Sequence, residues 1–193
     1  AGGNIAADAV AKAAPDGYTL VLLPSGHSSN AAMKKSLPFD PVNDFAWVST
    51  VTTYPLTLSV RPNSPITSFR DFIQRVKSEP NRYTYTSVGV GTAMHLFGEW
   101  LMAESGGVAT HVPFKGGADV VQAVMADTVE MGCALPSLVV PQINGGRLRP
   151  LAITAGKRSE FLPDVPTYRE LGIDYEDYES YGLLGPAGLP GAI

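Results

Sequence analysis

From Tyr83 to Gly146 the sequence passes repeatedly from a short β-rich run into a longer helical stretch, and this alternation constrains the fold more than any other feature. YTYTS (Tyr83–Ser87) reads as a strand and Ala93–Glu104 as a helix. HVPF (His111–Phe114) is the next strand, and Ala118–Ala126 is a helix with Val120, Val121, Val124 and Met125 on one face. VEMGCAL (Val129–Leu135) is another apolar run; Pro136 suits the first turn of a following helix, which Gly145 and Gly146 can close. Successive βα units predict an α/β protein with mostly parallel sheets, which bind ligands at the carboxyl ends of their strands.

The flanking segments extend the pattern. Asn4 can cap a helix through IAADAVAKA that stops at Pro15-Asp16-Gly17, and GYTLVLLPSG (Gly17–Gly26) is an apolar β-run ending in a turn. YPLTLSVRP (Tyr54–Pro62) alternates as a half-buried strand does. Ser68 caps the next helix with Asp71 three residues on, and Phe69, Phe72, Ile73 and Val76 form its apolar stripe. LRPLAIT (Leu148–Thr154) reads as a strand, DVPTYREL (Asp164–Leu171) as a short helix ended by Gly172, and LLGPAGLPGAI as a strand-like tail without a covering helix.

The functional classes narrow quickly. The chain has 193 residues and a formal net charge of −4, with its basic residues scattered singly, so it carries no electrostatic footprint for nucleic acid. No apolar stretch reaches the ~18 residues that span a bilayer. Cys133 is the one cysteine, which excludes an internal disulfide and predicts a buried small side chain. His27, His95 and His111 lack zinc-ligand spacing, and His95 and His111 read as packing residues. Gly89-Val90-Gly91-Thr92-Ala93-Met94 begins like a dinucleotide fingerprint, but Met94 stands where close helix packing requires the third glycine. There is no phosphate-binding G-x-x-x-x-G-K-[ST], and no cofactor is implied. No G-x-S-x-G elbow exists either, and His27 lies too near Ser25 in sequence to serve as its base.

What is left is a set of small-residue loops after strands: Ser25 and Gly26; Ser87, Gly89, Gly91 and Thr92; Gly116, Gly117 and Ala118; and Ser137. Backbone amides and hydroxyls in such loops can receive a carboxylate without a formal positive charge. These ten residues are the candidate ligand-binding set, with no catalytic and no metal-binding residue.

The same segments carry a resemblance. AGGNIAADAVAKAAPDGYTL, LPFDPVNDFAWVS, YTSVGVGTAMHLFGEWL, HVPFKGGADVVQAVMAD, LPSLVVPQINGGRLRPLAIT, KRSEFLPDVPTYRELG and YGLLGPAGLP, in this order, resemble the solute-binding proteins of the tripartite tricarboxylate transporter, or Bug, family. The resemblance implies a class II periplasmic-binding-protein fold: two doubly wound α/β lobes joined by a two-strand hinge near Leu56–Pro62 and Tyr181–Pro186. The lobes close over a small carboxylate or amino acid, which is delivered to membrane subunits of a transporter from the periplasm. Residues 61–180 are then one lobe, and residues 1–60 with 181–193 part of the other. Family chains carry a further strand and glycine-rich loop before the position of Ala1 and helices after Ile193, so the resemblance implies an incomplete lobe and carboxylate binding no better than about millimolar. An uncovered strand edge there invites pairing with a second copy. At Cys133 and Ala134 the family often places a polar pair, so polar specificity is lost if these residues face the cleft. Two other classes stay open: a module presenting a carboxylate to a sensor kinase, and a hydrolase using Ser25 or Ser87, disfavoured by the want of a base.

Overall fold

The computed structural model describes residues 3–191. Positions 1 and 2 of the expected glycine-rich opening turn, and positions 192 and 193 of the tail, lie outside the described residues. The chain divides into two compact units, Ala1–Thr53 with Gly91–Ala93 and Glu179–Ile193, and Tyr54–Val90 with Met94–Tyr178.

The first unit contains α1 (Asn4–Ala11), β1 (Val21–Pro24), α2 (Gly26–Met33), β2 (Phe45–Tyr54) and, from the far end of the chain, the strand Glu179–Pro186. That last strand is the centre of a three-stranded sheet with β1 and β2 at its edges; it runs antiparallel to β1, with Val21 opposite Leu184. Ala7 and Val10 of α1 pack with Val21, Leu23, Phe39, Phe45 and Leu184 as the core. Asn4 does not cap α1. Gly3 holds the N-cap position in the left-handed region at φ 84°, which places Asn4 inside the helix, where its side chain cannot reach back to the free amides. The helix ends at Ala11, before Pro15. Two elements escape the sequence reading. GHSSNAAM looks like a turn yet forms α2, in which Asn30 Nδ2 donates to the Gly26 carbonyl at 2.8 Å. FAWVSTVTTY forms the ten-residue β2, which lacks the alternation of a half-buried strand because residues 48–53 are exposed on both faces.

The second unit contains β3 (Thr57–Val60), α3 (Phe69–Ser78), β4 (Thr84–Ser87), α4 (Ala93–Ser105), β5 (Thr110–Pro113), α5 (Gly117–Met125), β6 (Met131–Ala134), α6 (Pro136–Asn144) and β7 (Arg149–Ile153); Glu179–Pro186 is thus β8. Its five strands lie in the order β5-β4-β6-β3-β7. β4 runs parallel to β5 and β6, so Tyr83–Ser87 and His111–Phe114 are neighbours in one sheet as expected, but β3 runs antiparallel to both β6 and β7. The sheets are therefore mixed rather than mostly parallel. β3 is buried on both faces, not one, its Leu58 and Val60 packing in the main core. Asp164–Leu171 is not a helix. Thr167 bridges to Ile153 and the Ile153 amide donates to the Pro166 carbonyl, leaving room before Gly172, at φ 86°, for one turn, in which Thr167 and Glu170 cap one another.

Ser68 caps α3 as expected, accepting from the Asp71 amide at 3.1 Å. The apolar stripe of α3 joins Leu56, Leu58, Phe97, Leu101, Met131 and Tyr168 in the main core. Cys133 and Ala134 are both buried in cores, so the departure from a polar pair falls on packed interior positions.

Tight approaches fix β4 in place. A Cβ on Gly98 would stand 2.2 Å from the Tyr85 ring, and one on Gly132 would stand 2.9 Å from Thr86 Cγ2. Gly98→Ala gains up to about 1 kcal/mol of helix propensity. It overpacks a ring that is stacked on His111 and tied through its hydroxyl to Glu99, which costs about 1–3 kcal/mol. The expected outcome is a net loss of stability of about 1–2 kcal/mol in denaturant titration; unchanged stability would show that the ring can move away.

Candidate functional site

The parallel trio β5-β4-β6 gathers three of the predicted loops at one end of its sheet. Ser87 ends β4, Pro113 ends β5 and Ala134 ends β6, so Ser87–Gly89, Gly116–Ala118 and Ser137 follow adjacent strands at their carboxyl ends. The Phe114 amide donates to the Ser87 carbonyl at 2.8 Å, which ties the first two loops together. α5 and α6 both begin here. Gly116 caps α5 without a side chain, and Pro136 at the start of α6 has no amide to leave unsatisfied. Gly117 allows the two helices to meet, since a Cβ there would stand 2.7 Å from Leu138 Cδ1. Ala118 and Ser137 are exposed. Helix N-terminal amides with a hydroxyl such as that of Ser137 are groups that can receive an anionic oxygen, with Asp119 also in the first turn of α5.

Gly26, Gly91 and Thr92 come together in the first unit. A Cβ on Gly26 would lie 3.8 Å from Thr92 Cα, and one on Gly91 3.4 Å from Asn30 Oδ1. Gly91 has φ 80°, a conformation that disfavours any side chain, and Thr92 is buried. Ser25 lies in the turn that leads into α2, as that helix's N-cap, and its hydroxyl donates to the Glu179 carboxylate. The adjoining groove has a volume of about 310 Å³. His27 is buried there, its Nε2 2.9 Å from the Pro41 carbonyl and its ring stacked on Phe39. It takes no part as a base for Ser25.

His111 is the residue that sequence reasoning undervalued. It lies on β5 opposite Tyr85, which brings its Nε2 to 2.7 Å from Ser87 Oγ. A histidine thus stands where a serine hydrolase would need one, against the expectation that none was available. The hydrogen-bond inventory can be met without a base. Ser87 Oγ accepts from the Gly89 amide at 3.0 Å and donates its single proton to the Gly89 carbonyl at 3.1 Å, which satisfies every partner if His111 Nε2–H is also a donor to Oγ. In that tautomer His111 has no lone pair toward Ser87, and Ser87, fully buried, shapes the loop. The only signal available in the sequence was register: Tyr85 and His111 fall opposite each other once the two strands pair in parallel.

The surroundings keep His111 neutral. Burial lowers its pKa from the ordinary value, and the nearby His95, with ring centroids 4.4 Å apart, lowers it further; Glu99, 3.7 Å from His95 Nε2, acts in the opposite direction. Tyr85, on the other face of the cluster, is held protonated by burial and by Glu99. Because the folded chain binds this proton less readily than the unfolded one, stability is full above about pH 6.5 and falls as the pH drops through the depressed folded value. Thermal melts from pH 8 to pH 5 should show this loss, and His111→Asn should flatten it; an identical slope in the variant would assign the loss to other groups.

Comparison with known proteins gives the family. The family model described as "Tripartite tricarboxylate transporter family receptor" matches residues 1–193. Protein BugT of Bordetella pertussis is 31% identical over 193 residues, covering 97% of this chain and 59% of BugT. MatC from Rhodopseudomonas palustris, solved with bound malate, superposes with a TM-score of 0.92 at 31% identity, covering 100% of this chain and 66% of MatC. A second R. palustris protein, solved with adipate, gives a TM-score of 0.93 at 32% identity, covering 98% of this chain and 64% of that one. The chain spans somewhat more than half the length of the curated relatives it matches. The chain belongs to the tripartite tricarboxylate transporter receptor family, a family of binding proteins with a mixed α/β periplasmic-binding-protein fold.

Proposed function

We propose that this chain captures a small carboxylate or an amino acid in the periplasm, for delivery to membrane subunits of a tripartite transporter. The observation that carries this reading is the gathering of Ser87–Gly89, Gly116–Ala118 and Ser137 at the carboxyl ends of three parallel strands, beside the N-termini of α5 and α6. Helix amides receive a carboxylate without a cationic side chain, and family relatives were solved with malate and adipate. Ser25, Gly26, Gly91 and Thr92 are the first unit's contribution to the same function. Among the described residues no helix is long and apolar enough to cross a membrane, which suits a receptor that works beside its membrane partners. A catalytic role is disfavoured by membership of a family of binding proteins.

A pair of chains is a further part of this reading. β2 is a sheet-edge strand of ten residues without Lys, Pro or any charge, and Trp47, Val48 and Val51 are each more than half exposed. Natural edges usually carry such features to block pairing. We assign β2 as the edge that meets a second copy; light scattering should show mass rising with concentration, and a constant monomer mass would refute it.

The receptor reading is tested by thermal shift against mono-, di- and tricarboxylates and amino acids, with sodium chloride matching ionic strength. At ten times a millimolar Kd, one carboxylate should raise stability by about 1.4 kcal/mol, and a panel without any response would overturn the reading. Thr92→Val should weaken the responding ligand by about 1–2 kcal/mol through loss of one hydroxyl hydrogen bond. Unchanged affinity would remove Thr92 from the site.

A further inference from the structure

We propose that His95 and His111 form a one-proton site next to the Ser87 turn, and that capture of a carboxylate by the second unit is coupled to proton uptake there, so that the chain holds its ligand more tightly as the pH falls below neutral. The proposal rests on the receptor reading and adds its regulation by pH.

Three elements build the pair. β5 supplies His111, the first turn of α4 supplies His95, and their ring centroids are 4.4 Å apart. β4 supplies Tyr85, whose ring is stacked on His111 at 5.0 Å, and Ser87, whose Oγ lies 2.7 Å from His111 Nε2. One turn further along α4, Glu99 receives the Tyr85 hydroxyl and stands 3.7 Å from His95 Nε2. Two imidazoles this close take up one proton readily and resist a second, because the first charge repels it. Of the groups around His111, Glu99 favours the proton, burial opposes it, and the Tyr85 hydroxyl stays neutral.

The proton matters to the loops because His111 holds Ser87. A neutral imidazole presents either a donor or an acceptor at Nε2, whereas the charged ring donates from both nitrogens. Protonation therefore commits Nε2–H to Ser87 Oγ in a stronger, charge-assisted bond and leaves the single Ser87 proton to the Gly89 carbonyl. The Ser87 carbonyl in turn accepts from the Phe114 amide at 2.8 Å, two residues before Gly116 caps α5. The charged pair thus fixes the turn and sets a positive charge on the strand that leads to Gly116–Ala118. A carboxylate received there favours this charge, and by reciprocity the charge favours the carboxylate. Burial holds His111 below its ordinary value and a bound carboxylate acts against burial, so binding takes up a proton in the window between the free and bound values and affinity is flat above it.

Nitrogen–proton correlation spectra of the imidazole side chains follow both rings directly, so ionisation of the ligand does not enter. In the ligand-free chain the pair should titrate in two steps about one pH unit or more apart, and in His95→Gln, His111 should titrate in a single step at higher pH. One simple step shared by both rings of the wild-type chain would overturn the one-proton site, a readout that stands even if His95→Gln fails to fold. Acetate, succinate, citrate and glutamate serve as probes, with sodium chloride at matched ionic strength as the control. The probe that binds most tightly should raise the His111 midpoint by about 0.5 pH, equivalent to about threefold tighter binding by the protonated chain, and chloride should leave it in place. Saturated amide shifts at Gly116–Ala118 with an unmoved His111 midpoint would overturn the coupling while leaving the receptor reading intact. Failure of every probe to bind would overturn both.

Discussion

Two missing Cβ atoms hold the second unit together. β4 is the strand shared by both parallel pairs, and it fits only because Gly132 opposite Thr86 and Gly98 beneath the Tyr85 ring leave no side chain in its way. With β4 seated, β5 and β6 flank it in parallel, their carboxyl ends fall side by side, and α5 and α6 start at one edge of the sheet. In the proposed reading, reception of an anion at that edge follows from backbone placement rather than from charged side chains.

Ser87 joins this frame to the loops. Its hydroxyl closes the turn through Gly89 and meets His111 across the sheet, which ties the loop to β5. The Ser25 hydroxyl is likewise committed within the protein, to the Glu179 carboxylate.

Much of this was legible in the sequence. The elements of the second unit from Ser68 to Ile153 follow from periodicity, the Ser68 cap and Pro136, and the carboxyl-end loops follow from the βα order. Contacts between segments far apart in the chain were not legible. The antiparallel insertion of β3 depends on pairing with β6 and β7, residues more than 70 positions away, and no local signal marks it. α2 was hidden because its Ser and Asn residues favour turns until a tertiary setting satisfies them, here through the Asn30 bond to Gly26. His111 could be assigned to packing from its strand position, but its bond to Ser87 needed the register. Glu179 and Ser25 stand 154 positions apart, beyond any motif.

The claim on which the rest turns is that the carboxyl ends of β4, β5 and β6 receive a carboxylate through backbone amides. Amide chemical-shift mapping tests it most directly, with the ligand that responds in the thermal screen. The account predicts saturable shifts concentrated at Gly116, Gly117, Ala118 and Ser137, with those amides moving downfield as they donate to the anion. Saturable binding whose shifts leave these four amides untouched would contradict it.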